Sequence, residues 1–194
     1  MKYKFIRKGF KSENGNIKWK IGKWQKPIKD LVLCERGYHC SKTIYQAFSY
    51  VQGEILCQVE CKGKKLKDTD KEVWENQRIV RAWKWTKKDS VLLSIYAAEL
   101  CIDNFEKEYP EDKRPREAIE AAKKFLKYPT AAKRFAARSA AGSAAESAAA
   151  SARSAAESAA ESAVWSAWSA AESAVIKNIS EWMDNRLKVL KEIK

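Results

Sequence analysis

The chain has 194 residues, 38 of them Lys or Arg against 25 Asp or Glu, for a net charge of +13. Five cysteines, an odd number, and a first segment MKYKFIRKGF without an apolar run argue against a secreted disulfide scaffold and against a signal peptide. No stretch reaches the ~18–20 apolar residues of a membrane span, so a cytoplasmic protein with reduced thiols is expected.

The charge is unevenly spread. Residues 1–88 hold 22 basic and 9 acidic side chains, a net of +13, whereas residues 89–129 carry −2 and residues 130–194 carry +2. The first of these segments reads as β. Tyr3, Phe5 and Arg7 alternate with Lys4, Ile6 and Lys8, and Ile17, Trp19 and Ile21 alternate with lysines. Between them, Asn14-Gly15-Asn16 is a turn signal. Ser41 to Val51 has helical spacing, opened by Ser41 or Lys42 and closed by Gly53. Glu54–Cys61 and Gln77–Thr86 then alternate again, with Ile55, Cys57, Val59 and Cys61 sharing one face and Ile79, Arg81, Trp83 and Trp85 sharing another.

From Asp89-Ser90 to Tyr109 the spacing predicts a helix whose apolar positions cover nearly all sides, which implies burial. Pro115 suits the first turn of a second helix reaching Tyr128. After Pro129, with Thr130 as cap, one long helix is expected to run toward Ile193. Its serines fall at 139, 143, 147, 151, 154, 158, 162, 166, 169 and 173, each followed by alanine, a 15-residue unit over four turns. That period exceeds 3.6, so a constant stripe calls for a slight right-handed coil. The expected fold is α+β: a basic β-rich domain over 1–88 packed on helices, a helical layer over 89–129, and a long Ala/Ser-repeat helix over 130–194. The Ala/Ser helix is also a candidate surface for a homo-oligomer.

Basic and aromatic residues interleave at Lys18, Trp19, Lys20, Lys23 and Trp24, and again at Arg78, Arg81, Trp83 and Lys84. Cationic grooves with stacking rings bind single strands and nucleotides, and a cationic face equally suits an acidic protein surface. The structural alternative is that the tryptophans fill the core while the lysines face water.

His39 is the single histidine, and no positioned third group identifies a triad around it. Cys57 and Cys61, four apart on a strand, stand ~13 Å apart by strand rise, too far to share one zinc with Cys34 or Cys40. No C-x-x-C, no Walker loop and no G-x-G-x-x-G occurs. No catalytic residue, metal or cofactor is therefore assigned, and the cysteines are expected to be buried free thiols.

The block Cys34-Glu-Arg-Gly37-Tyr38-His39-Cys40-Ser41, followed by Ala47, Tyr50 and the strand Ile55–Val59, resembles small domains of phage and prophage proteins of unknown function. In several of those a similar β domain precedes an alanine-rich helix, and some carry an immunity-protein label. The resemblance assigns no chemistry to Gly37, Tyr38, His39 or Cys40. It implies an inhibitor that acts by contact on a host defence or toxin complex, in the host cytoplasm. A more distant resemblance, to ADP-ribosyltransferase-like folds, aligns Arg7, the Gly37–Ser41 block and Glu72 or Glu75 with that family's functional positions, without its Glu/Gln-x-Glu pair. The sequence thus leaves three readings: a non-enzymatic protein-binding inhibitor, a nucleic-acid or nucleotide-binding module, and an NAD-using transferase.

Overall fold

The alternating segments become strands β1 (Lys2–Ile6), β3 (Ile55–Lys67) and β4 (Glu72–Lys84), joined by a short β2 (Tyr38–Cys40) and by β5 (Glu192–Ile193) near the carboxyl end. Among the described residues four helices complete the α+β fold: α1 (Ile44–Tyr50), α2 (Lys87–Glu108), α3 (Arg114–Lys127) and α4 (Glu161–Leu187). This computed structural model describes residues 1–14, 17–130, 133, 137, 139–140 and 161–193, with side chains in the last stretch from Ser173 onward. The chain divides into two units, Met1–Lys87 with Ser180–Lys194, and Lys88–Ile179.

In the first unit every strand pair is antiparallel, in the order β1-β3-β4-β2, with β5 also on β4. Tyr3 and Ser41 exchange both backbone hydrogen bonds, at 2.8 and 2.9 Å, which ties β1 to the residue after β2 and curls the sheet upon itself. One edge of β4 pairs with β3 throughout. Its other edge is covered in turn by β2 at 72–74, by the segment 22–28, and by β5 at 82–83. An edge covered in this way offers no template for strand addition. The expected strand over Ile17–Ile21 does not form as an element. Its residues make isolated bridges, Lys18 to Lys11 and Ile21 to Ile79, and it serves instead as the start of that covering strap.

Register puts Phe5, Leu56 and Trp83 side by side on one face. There Phe5, Phe48 of α1 and Trp85 form a triangle of rings with centroids 5.2–5.5 Å apart. The enclosed face holds Ile6, Trp19, Tyr38, Ile55, Val59 and Ile79. Each fully buried aliphatic side chain there contributes about 1.5–3 kcal/mol. Helix α1 opens on a capping box between Thr43 and Gln46, not on Ser41 or Lys42, because Thr43 holds the extended conformation that lets its hydroxyl reach the Gln46 N–H.

In the second unit α2 and α3 pack through Ile95, Ile102 and Ile119. Arg116 pairs with Glu106 and Asp103, and Lys123 with Glu99, along the same seam. Helix α2 begins at Lys87 with Asp89 in its first turn, where a carboxylate suits the helix dipole. Its burial is narrower than the sequence suggests: Leu93, Ile95 and Ile102 are buried, while Ala98 and Cys101 are exposed. Pro115 lies in the first turn of α3 as expected. The Thr130 hydroxyl accepts from the Lys133 N–H at 3.2 Å, as a helix cap does. Most of the serine repeat, 141–160, lies outside the described residues. Helix α4 stops at Leu187 and does not reach Ile193; the chain turns and lays β5 on β4.

Candidate functional site

The two basic–aromatic stretches, 54 or more residues apart in sequence, meet on β4. The Gly22 N–H donates to the Ile79 carbonyl at 2.7 Å and the Gln25 N–H to the Gln77 carbonyl at 3.0 Å. Gly22 makes the required bend at φ +77°. Trp24 is thereby laid over the β3–β4 pair, with Lys62 Nζ 4.3 Å and the Arg78 guanidinium 4.9 Å from its ring centroid. Arg78 also pairs with Glu60 across the strands. Lys18, Lys20 and Lys23 stand exposed on the strap and make no ion pair among the described residues.

Three expected members of this face behave differently. Trp19 is 2% exposed: its ring packs edge-on against Tyr38 and its indole N–H donates to the Ser12 hydroxyl, so it belongs to the core and not to a binding surface. Arg81 is held by Glu192 of β5 through two bonds of 2.8 Å. Lys84 is exposed at the far end of β4. Sequence reasoning passed over the exposed Lys62, Lys64, Lys65 and Lys67 of β3, although the spacing K-x-K-K-x-K was there to be read.

The Gly-Tyr-His-Cys block opens a cleft of about 520 Å³ walled also by Lys4, Ser41 and Lys71. Gly37 sits at φ +124°, and a Cβ there would fall 2.3 Å from Val73 Cγ2, so no other residue fits. The Tyr38 hydroxyl donates to the Lys26 carbonyl at 2.7 Å and anchors the strap. His39 Nε2 accepts from the Cys34 N–H at 2.9 Å while its other nitrogen bonds the Gly37 backbone. Its basic lone pair is thus spent on a fixed donor. Burial, with the charges of Lys4 and Lys71, lowers its pKa further, so a neutral imidazole holds the loop together. Cys34, expected to be buried, is exposed, as is Cys101.

Behind this block lies a polar chain with little signature in the sequence. Lys4 Nζ donates to Gln77 Oε1 at 3.0 Å and lies 4.3 Å from the Trp19 ring centroid. Gln77 Nε2 donates to Cys61 Sγ at 3.3 Å, and Cys61 Sγ is 3.7 Å from Cys40 Sγ. Beside it Glu72 accepts from Lys2 and from the Trp74 indole. Burial drives the Lys4 amine down to about 8, and the neighbouring cysteines only partly offset it. Burial and its contact with Cys61 push the Cys40 thiol up, and the contact with Cys40 with the Gln77 bond hold Cys61 down. Among the described residues no group of three His, Cys, Asp or Glu side chains is placed to hold a metal.

The positions that the transferase resemblance singles out are each engaged by protein groups. Arg7 is paired with Glu13, Glu72 with Lys2 and Trp74, and Glu75 accepts from the Lys64 N–H. Residues 1–89 match the family model described as a domain of unknown function (DUF7666). The match covers β1–β4, the strap and the cleft just described and ends at the start of α2, without β5. Comparison with curated proteins and with solved structures gave no match. Among the described residues no helix is long and apolar enough to cross a membrane.

Proposed function

We propose that this is a non-enzymatic binding protein whose amino-terminal unit docks on an acidic protein surface through the strap and the β3–β4 pair. The observation that carries this reading is the Trp24 ring held under Lys62 and Arg78, on a strap that also exposes Lys18, Lys20 and Lys23. Arg78 is paired with Glu60, but the four lysines make no ion pair among the described residues, and like charges gathered in this way on a folded surface raise the local potential and draw an acidic partner. Both cations over the Trp24 ring occupy the aromatic surface that a base would need for stacking, which favours a protein partner over a single strand. The resemblance to phage proteins bears on the kind of partner, a component of a host defence or toxin complex, inhibited by contact.

The test compares capture from a host-cell lysate by the native protein and by a variant with Lys20→Glu, Lys23→Glu and Lys62→Glu. The reading expects a defined protein that stays bound after nuclease treatment and is lost with the reversed charges. Capture that vanishes with nuclease would transfer the face to nucleic acid. Capture indifferent to the three substitutions would remove the face from function.

A further inference from the structure

The interior of the curled sheet holds two thiols in contact and a buried amide aimed at one of them, an arrangement that core packing alone does not require. We propose that Cys40 and Cys61 form an oxidation site for small hydroperoxides, with Cys61 as the attacking thiol and Cys40 as the resolving one. Gln77 is fully buried, and its orientation is set by Lys4. An ammonium only donates, so the amide oxygen must face Lys4, and the amide N–H₂ is turned to Cys61. A donor at 3.3 Å from the sulfur favours thiolate over thiol. Lys2 and Lys4, both on β1, add positive charge on the same side. Cys40, 4% exposed, is the poorer acid of the two and keeps its proton until it is needed. Cys40 lines the cleft, whereas Cys61 does not and is reached by a molecule the size of hydrogen peroxide through its own partly exposed position on β3.

The chemistry balances with hydrogen peroxide as oxidant. The Cys61 thiolate attacks one peroxide oxygen, the O–O bond breaks, and the hydroxide released takes up the proton that Cys61 had lost. Cys61 is then a sulfenic acid. The Cys40 sulfur attacks the Cys61 sulfur, the S–S bond forms, the S–O bond breaks, and the departing hydroxide leaves as water with the Cys40 proton. Two thiols are oxidised by two electrons, and one peroxide becomes two waters. The disulfide would join β2 to β3 across the interior.

The experiment uses the full chain with Cys34→Ser and Cys101→Ser, which removes the two exposed thiols. Reduced protein is treated with hydrogen peroxide, unfolded, and its free thiols counted; peptides are mapped without reduction. The expected result is loss of two of the remaining three thiols and a Cys40–Cys61 linked peptide, with no disulfide between chains. Adding Cys40→Ser should leave Cys61 as a sulfenic acid that dimedone traps. Adding Lys4→Met instead should slow thiol loss several-fold while the circular dichroism spectrum stays native. Retention of all three thiols under peroxide that consumes free cysteine would overturn the proposal, as would oxidation centred on Cys57.

Discussion

An ammonium enclosed by a sheet is unfavourable unless its surroundings return what water supplied, and Lys4 has the Gln77 amide and the face of Trp19 for that purpose. Its amine, at about 8 when folded and 10.5 ordinarily, is charged in both states below pH 8 and neutral in both above 10.5. Between those limits the unfolded chain binds the proton more tightly, so stability should rise with pH by on the order of 3 kcal/mol. The buried Cys40 and Cys57 thiols, whose pKa values are raised, work in the opposite sense above pH 9. Lys4→Met removes the amine and, with it, a charge that favours the neighbouring thiolates. The methionine variant should be the more stable at pH 7, by about 1–2 kcal/mol, with an advantage that is lost and then reversed between pH 8 and 10.5. Urea midpoints in reducing buffer across that range decide it, and a constant difference would mean that the amine is solvated. His39 makes the complementary case: its removal takes away the acceptor of the exposed Cys34 N–H and should lower stability by about 0.5–1.5 kcal/mol while partner binding is kept wherever the fold survives. A folded His39→Ala chain with binding lost a hundredfold would give the imidazole a direct role.

The elements show where pattern is a sufficient guide and where it is not. Alternation over 3–8, 54–61 and 77–86 falls on β1, β3 and β4, because one face of each is buried there and period 2 records that directly, whereas the outer half of the β3–β4 pair, 62–67 and 72–76, was not read as strand. The 17–21 alternation was of the same kind, yet Ile17 and Trp19 bond Ser12 and Phe10, and the chain that follows reaches β4 only at wide intervals, through Gly22, Gln25 and Ile28, and so makes a strap and no ladder. Strand β2 is three residues long and β5 two, too short for any period to register, and each exists because β4 has an edge to cover. The polar interior was illegible for another reason: Lys4, Gln77 and Cys61 are ordinary strand residues until the curl of the sheet brings them together. The one readable clue to the curl was Gly37, at a position where the side chains of Val73 on β4 and of Leu31 come too close for a Cβ. Gly37→Ala should therefore destabilise by about 1–3 kcal/mol through the clash with Val73, and by more through its left-handed backbone. A thermal midpoint equal to that of the native chain would mean that the turn repacks freely.

At the scale of the whole molecule the charge is the dominant asymmetry. All of the +13 is accounted for by residues 1–88, and the carboxylates of that segment are largely engaged: Glu13 by Arg7, Glu60 by Arg78, Glu72 by Lys2. What remains on the surface is lysine. A field of this kind acts at long range and is screened over about 8 Å at physiological salt, so it should govern the approach of a partner more than its departure. Two probes separate the readings, poly-glutamate for an acidic protein surface and a single-stranded oligothymidine for nucleic acid. The protein-binding reading expects poly-glutamate to bind with an association rate that falls steeply as salt rises. Lys20→Glu with Lys23→Glu and Lys62→Glu should reduce that rate about tenfold or more and leave dissociation nearly unchanged. The same variant should melt within about 0.5 kcal/mol of the native chain, because none of the three lysines is ion-paired or buried. Tight oligothymidine binding with quenching of tryptophan fluorescence would show bases displacing Lys62 and Arg78 from the Trp24 ring, and the partner would then be a nucleic acid. Rates that ignore salt for both probes would leave the lysines as a solvated surface with no part in recognition.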